Sequence, residues 1–160
     1  MSEIFLLPGE FYFGNEYNSV KTLLGSCVAI TMWSKRLKVG GMCHYKLPRR
    51  LVSPSVNLDG NYGEEAVLLF LQHMSKYMLR AEDMTVGVYG AGNMFSSIVE
   101  SDAKSIGVQN INLAHQLLKK LGFEISHESL GGAVSRRVSL DLLKGMVKIQ
   151  SLDVEQNKWL

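Results

Sequence analysis

Two cysteines, three prolines and four histidines are all that 160 residues hold of those types, and no apolar stretch approaches the roughly 20 residues that cross a bilayer. Each shortage excludes something. Two thiols cannot staple a disulfide scaffold, so in a reducing compartment Cys27 and Cys43 are expected to be free. The histidines, apart from His44, stand singly at 73, 115 and 127, with no spacing to cysteine or carboxylate that suits zinc. Helix-surface positions are the expectation for these three, and neither a metal nor another cofactor is expected. Seventeen basic residues against fifteen acidic leave a formal charge of +2, and neither sign forms a run that would mark a nucleic-acid arm or a membrane patch. The first residues, MSEIFLLPGEFYFG, lack the basic region and long apolar core of a signal peptide, which predicts a cytoplasmic address.

What is present is apolar residue in quantity, 46% of the chain, enough for one substantial core and for a single domain over residues 1–160. Ile4–Leu7 and Phe11–Phe13 are short apolar runs, each closed by turn residues, and read as edge strands. TLLGSCVAITMW from Thr22 and VGGMCHYKL up to Leu47, separated by SKRLK, read as a hairpin. Arg49 to Asn61 is a loop long enough to overhang a site. Glu64–Leu79 places Val67, Phe70, Leu71, Met74 and Met78 at helical spacing, with two glutamates where the helix dipole favours negative charge. A strand at Thr85–Tyr89, a helix at Asn110–Leu121 closed by Gly122, and a strand at Phe123–Glu128 follow. LGGAVSRR reads as a loop, and Val138–Leu142 and Met146–Leu152 flank Lys144-Gly145 as a last hairpin.

With the first hairpin centred between Lys35 and Arg36, facing residues have numbers summing to 71, and Cys27 lies opposite His44. Directly opposed residues have Cβ atoms about 4.5 to 5.5 Å apart, so thiol and imidazole would be within reach as nucleophile and base. A neighbouring imidazolium would lower the thiol pKa from its usual value near 8.5 and hold a reactive thiolate. Gly25 and Ser26 could let backbone N–H groups approach a developing oxyanion. The same register turns Val28, Cys43, Ile30, Gly41, Met32 and Val39 to the opposite, apolar face. Free cysteine is also among the most buried residue types, and that plain structural reading fits Cys43 better than Cys27.

GAGNMF after a strand looks like a phosphate-cradling loop but lacks the dinucleotide fingerprint and the P-loop lysine, so it reads as a tight turn bordering the site. Arg136 and Arg137 could meet carboxylates on a partner, although exposed arginines are more often simply solvated.

TLLGSCVAI, VGGMCHYKLP, YGAGNMF and GGAVSRRV resemble, in order and spacing, the chemoreceptor glutamine deamidase family CheD, over roughly Gly9 to Ile149. The resemblance implies an α+β fold, a sandwich of mixed or antiparallel sheets flanked by helices, similar to the bacterial deamidating toxins. It implies a cysteine hydrolase that converts glutamines of methyl-accepting chemotaxis receptors to glutamate, with glutamyl methyl esters as further substrates in some members. It carries the nucleophile onto Cys27, the base onto His44, and the residue that orients the histidine onto Thr22, with Ser19 as the alternative. A CheC-type phosphatase is the partner it implies. The competing function is a non-catalytic module that regulates a chemotaxis phosphatase or a receptor by docking.

Overall fold

The computed structural model describes residues 2–52, 57–93 and 105–153. Its strands are β1 (Glu3–Leu6), β2 (Phe11–Gly14), β3 (Ser19–Leu24), β4 (Val28–Ser34), β5 (Val39–Cys43), β6 (Met84–Gly90), β7 (Ile125–Leu130), β8 (Val134–Asp141) and β9 (Val147–Asp153). The helices α1 (Gly63–Lys76) and α2 (Ile106–Lys120) precede β6 and β7 respectively. The strands form two sheets, a four-stranded one in the order β1-β3-β8-β9 and a five-stranded one in the order β2-β5-β4-β6-β7. Pairing is antiparallel except for β1 with β3 and β6 with β7, so both sheets are mixed and the expected α+β sandwich is present.

Three layers result, with a core between each pair. One core holds Val28, Ile30, Met32, Cys43 and Tyr45 of the five-stranded sheet against Ala66, Val67, Phe70 and Met74 of α1 and Ala114 and Leu118 of α2. The other holds Ala29, Trp33, Met42 and Tyr89 against Leu6, Val20, Leu24, Val138 and Leu140 of the four-stranded sheet. β4 is therefore buried on both faces, which is why its sequence, VAITMWS, shows no polar alternation. β3 alternates instead, Val20, Thr22 and Leu24 facing inward and Lys21 and Leu23 outward, because its sheet has a core on one side only.

Several elements differ from the sequence expectation. TLLGSCVAITMW is two strands, not one: β3 ends at Leu24 in one sheet and β4 begins at Val28 in the other, with Gly25–Cys27 as the crossover. Both halves are apolar because both face the inter-sheet core, so hydrophobicity carries no mark of the break. β4 and β5 do form the hairpin, but Ser34 pairs with Val39 and Thr31 with Met42, so facing numbers sum to 73. The connection is a four-residue turn, 35–38, in which Lys38 adopts φ 54° and donates its N–H to Ser34 O at 2.8 Å. No residue in SKRLK specifies a two-residue turn, so the chain takes a longer one whose left-handed residue is a lysine. A shift of two leaves every side chain on its expected face.

α1 stops sooner than its apolar spacing suggests. Tyr77 caps it, and Met78 takes φ 57° and stands 86% exposed rather than on the buried stripe. α2 starts earlier, at Ile106, because the Ser105 hydroxyl caps it by accepting from Val108 N–H at 3.2 Å. LGGAVSRR is a loop only as far as Ala133, and VSRR is the first half of β8. Met94 and Phe95 of GAGNMF, and the residues 53–56 of the long loop, lie outside the described residues.

Candidate active site

The crossover that carries Cys27 is held by the segment that follows β6. Ala91 donates its N–H to Cys27 O at 2.8 Å, and Gly92 donates to Gly25 O at 2.9 Å. The close approach requires glycine: a Cβ on Gly90, whose φ is 115°, would stand 2.2 Å from Cys27 O. Ala91 also has positive φ, 54°, which costs an alanine energy and is retained here against the turn that carries Cys27. The GAG of GAGNMF is thus a clamp on the cysteine, consistent with a tight turn and not with phosphate binding.

Cys27 and His44 lie on the same face of their ribbon, the face turned toward the four-stranded sheet. Their pairing is not the direct one expected. Val28 pairs with Tyr45, so Lys46 follows as the neighbour across from Cys27, and His44 stands across from Ala29. Cysteine and histidine are diagonal neighbours, a separation of about 7 Å between backbones that a cysteine and an imidazole can span. Cys27 is half-buried at the edge of the inter-sheet core, whereas His44 is 2% exposed. Cys43, on the other face, is fully buried against the helices, and both thiols are free.

Thr22 comes from the opposite sheet. Its Oγ1 lies 2.7 Å from His44 Nδ1 and 2.8 Å from Leu6 O. A hydroxyl has one proton, and the Leu6 carbonyl can only accept, so Thr22 donates to Leu6 and receives the Nδ1–H of His44. The tautomer follows: Nε2 carries the lone pair. Gly9 N–H donates to His44 O at 2.7 Å and fixes the backbone of the same residue. Ser19, the alternative to Thr22, alternates with Lys21 onto the outward side of β3 and is not brought to the histidine.

The electrostatics differ from the expected thiolate–imidazolium pair. Burial first, and the nearby Lys46 ammonium second, push the His44 pKa down to about 4, so the ring is neutral at neutral pH. Burial raises the Cys27 thiol, opposed by Lys46. Both groups therefore rest uncharged, and the histidine is poised to accept a proton and not to share a fixed charge. Cys43 is pushed up to about 12 by complete burial and is inert as a nucleophile.

Two further residues of the site region escape sequence reasoning. Arg136, expected to be solvated or facing a partner, is instead buried. Its guanidinium donates to Ser129 Oγ at 2.9 Å, Gly90 O at 3.2 Å and Gly131 O at 2.6 Å, tying β8 to the clamp. Arg137 is exposed, as alternation along β8 requires. Arg50 makes a bidentate pair with the buried Glu65, both bonds 2.6 Å, and Asp59 N–H also donates to Glu65, so the two ends of the long loop are fastened to α1. Hydrogen-bond partners separated by tens of residues leave no local pattern to read. Of the remaining histidines, His73 on α1 stacks near Phe11 and Phe13 and His115 on α2 pairs with Glu128 at 2.5 Å, whereas His127, expected on a helix surface, lies exposed on the strand β7. Among the described residues no cluster of histidine, cysteine and carboxylate could hold a metal, and no helix is long and apolar enough to cross a membrane.

The chain is similar to known proteins of one family. The model of that family, described as CheD chemotactic sensory transduction, matches residues 47–151. "Probable chemoreceptor glutamine deamidase CheD 3" of Dechloromonas aromatica (strain RCB) is 40% identical over 147 residues, covering 92% of this chain and 86% of the relative. "Probable chemoreceptor glutamine deamidase CheD 1" of Chromobacterium violaceum is 37% identical over 156 residues, 96% of this chain and 81% of the relative. A relative from Methanococcus maripaludis (strain C5), "Probable chemoreceptor glutamine deamidase CheD", is 33% identical over 142 residues, 89% and 90% of the two chains. The family match begins after His44, but the pairwise similarities extend over nearly the whole chain, crossover and ribbon included, and on that extent the chain belongs to the CheD family.

Proposed function

We propose that the chain is a protein-glutamine deamidase that converts glutamine side chains of methyl-accepting chemotaxis receptors to glutamate through a Cys27 acyl-enzyme. The observation that carries this reading is the Thr22–His44 hydrogen bond, which leaves an imidazole lone pair on the face that also bears a half-buried cysteine.

In the first step His44 Nε2 takes the thiol proton as Sγ attacks the carboxamide carbon, forming the C–S bond and a tetrahedral oxyanion. The oxyanion forms beside the crossover backbone. Cys27 N–H makes no backbone hydrogen bond among the described residues, although its carbonyl is bonded to Ala91, and it is suited to receive that charge. The C–N bond then breaks, and His44 returns its proton to the leaving nitrogen, which departs as ammonia. Water, deprotonated by the same Nε2, attacks the thioester, the C–S bond breaks and the proton returns to sulfur. Proton transfer by a neutral base matches the lowered His44 pKa better than a preformed ion pair does. Thiol, imidazole and water carry every step, so the mechanism uses no cofactor.

A receptor substrate of this kind would be met in the cytoplasm, and the family resemblance extends the reading to a CheC-type phosphatase as a binding partner. Glutamyl methyl esters would react by the same acyl step with methanol as the leaving group.

The test is incubation of receptor fragments with purified wild type and Cys27→Ala, followed by ammonia assay and mass spectrometry. Deamidation adds about one dalton, whereas ester hydrolysis removes about fourteen, and both pass through the same thioester. Ammonia release should vanish in the variant. Wild-type rates with Cys27→Ala would overturn the assignment, and undiminished regulation by the variant with no hydrolysis by the wild type would make the chain a docking module.

A further inference from the structure

With His44 neutral at rest, any positive charge already in place beside the thiol must come from another group. The ribbon register identifies one. Val28 and Tyr45 exchange both backbone hydrogen bonds, at 3.0 and 2.9 Å, and so form a hydrogen-bonded pair. One step beyond this isolated bridge, where the regular pairing stops, the residues set across from one another are Cys27 and Lys46. Direct partners share a face, so the lysine stem rises beside the thiol on the side where His44 also stands.

The backbone of Lys46 is clamped from two directions. Its N–H donates to Asn61 O at 2.9 Å, and its carbonyl accepts from Asn110 Nδ2, also at 2.9 Å, Asn110 being buried at the start of α2. The exposed ammonium is the one part left free to follow the sulfur. We propose that Lys46, acting through Cys27, is a positioning residue of this site: its ammonium is the standing positive charge that favours the sulfur anion, beside the imidazolium formed when His44 takes the proton.

The other groups facing the thiol do not supply that charge. His44 is uncharged until it accepts the thiol proton, Thr22 and Leu24 contribute a neutral hydroxyl and an alkyl group from β3, and Tyr89 comes from β6. The Arg136 guanidinium from β8 is engaged by Ser129 and by two carbonyls. Among the described residues, Lys46 is the charged group whose field bears on the thiol, and it lowers the thiol pKa against the upward push of burial. The same charge disfavours an imidazolium, so one side chain promotes both the anionic sulfur and the neutral base.

The inference deepens the deamidase reading and rests on it for its meaning, but its test does not depend on turnover. The rate of alkylation of native protein by the uncharged reagent iodoacetamide follows the thiolate fraction of Cys27, since Cys43 is sealed in the core, and Cys27→Ala supplies the background. Lys46→Met should raise the midpoint of the pH–rate curve by about half a unit to one unit, a three- to tenfold slower reaction near pH 7. Lys46→Arg should restore the wild-type curve, Lys46→Glu should move it further up, and 1 M KCl should narrow the gap. Coincident midpoints for wild type and a folded Lys46→Met variant would overturn the proposal whether or not the enzyme deamidates. Shifted midpoints without ammonia release from any receptor fragment would uphold Lys46 and sink the deamidase reading instead.

Discussion

Thr22→Val is the sharpest perturbation of the site, because it keeps the shape of the side chain and removes only the hydroxyl. In the native protein that hydroxyl serves two buried groups, the Leu6 carbonyl and the Nδ1–H of His44, and Thr22 is itself fully buried. Valine leaves both without a partner. An unpaired buried polar group costs about 1–3 kcal/mol, so the variant should lose roughly 2–4 kcal/mol once relaxation recovers part of the sum. The imidazole has a second response, which is to move its proton to Nε2 and turn a donor that nothing accepts into a lone pair. That tautomer is no longer a base toward sulfur. We expect kcat to fall about 100-fold with KM little changed, as for a group that acts only as the transition state forms. Thr22→Ser, which keeps the hydroxyl, should recover most of both losses. The assays are urea unfolding, steady-state ammonia release and the ¹⁵N shifts of the His44 ring, which report the tautomer. Native stability and unchanged kcat in Thr22→Val would refute the argument that this hydrogen bond sets the histidine.

His44 should also appear in the pH dependence of stability. Its folded pKa, about 4, lies below the unfolded value near 6.5, so between those limits the unfolded chain binds more protons and stability falls as pH falls. The loss should be on the order of 2–3 kcal/mol between pH 6.5 and 4, and His44→Asn should flatten that segment of an unfolding-free-energy curve. Cys43→Ala should keep wild-type ammonia release while lowering the unfolding free energy by about 1 kcal/mol, since it shaves a small buried side chain on the face away from the site. Gly90→Ala should impair activity well beyond its effect on stability, because the new methyl would displace the Cys27 carbonyl; equal losses in the two measurements would remove the clamp from the site. Glu65→Gln should cost about 1–3 kcal/mol in urea unfolding, since the substitution weakens a bidentate pair whose carboxylate is 1% exposed.

How far this was legible in the sequence depends on the range over which each feature is encoded. The faces of β4 and β5 follow from alternation and short residues, so the placement of Cys27 and His44 on one side and Cys43 on the other needs nothing beyond the ribbon itself. The register depends on a turn, and Lys35–Lys38 contains no glycine or asparagine that would specify one, so the pairing differs by two residues and sets Val28 across from Tyr45, with Lys46 rather than His44 next to follow across from Cys27. The break at Gly25–Cys27 was invisible to hydrophobicity, since the segments on both sides line the same core. Arg136 shows the opposite failure. An arginine beside two glycines carries the composition of a solvated loop, and only the tertiary positions of Gly90, Ser129 and Gly131 make it a buried donor.

The crossover that hydrophobicity concealed also explains how the site is assembled. Cys27 sits where the chain leaves the four-stranded sheet for the five-stranded one, His44 at the end of β5, and Thr22 on the far side of the core that joins the sheets. No single hairpin holds the constellation. The 2.7 Å bond between Thr22 and His44 is a bond between layers, so its length depends on the packing of Leu24, Ala29, Val138 and Tyr89 around it. Interiors transmit small changes in volume, and catalytic geometry tolerates little of it. Val138→Ala, which opens a gap beside Thr22, its partner across β3 and β8, should therefore lower kcat by more than the unfolded fraction at the assay temperature accounts for. Activity that merely tracked the folded fraction would mean that each sheet positions its own part of the site and that the inter-sheet core contributes stability alone.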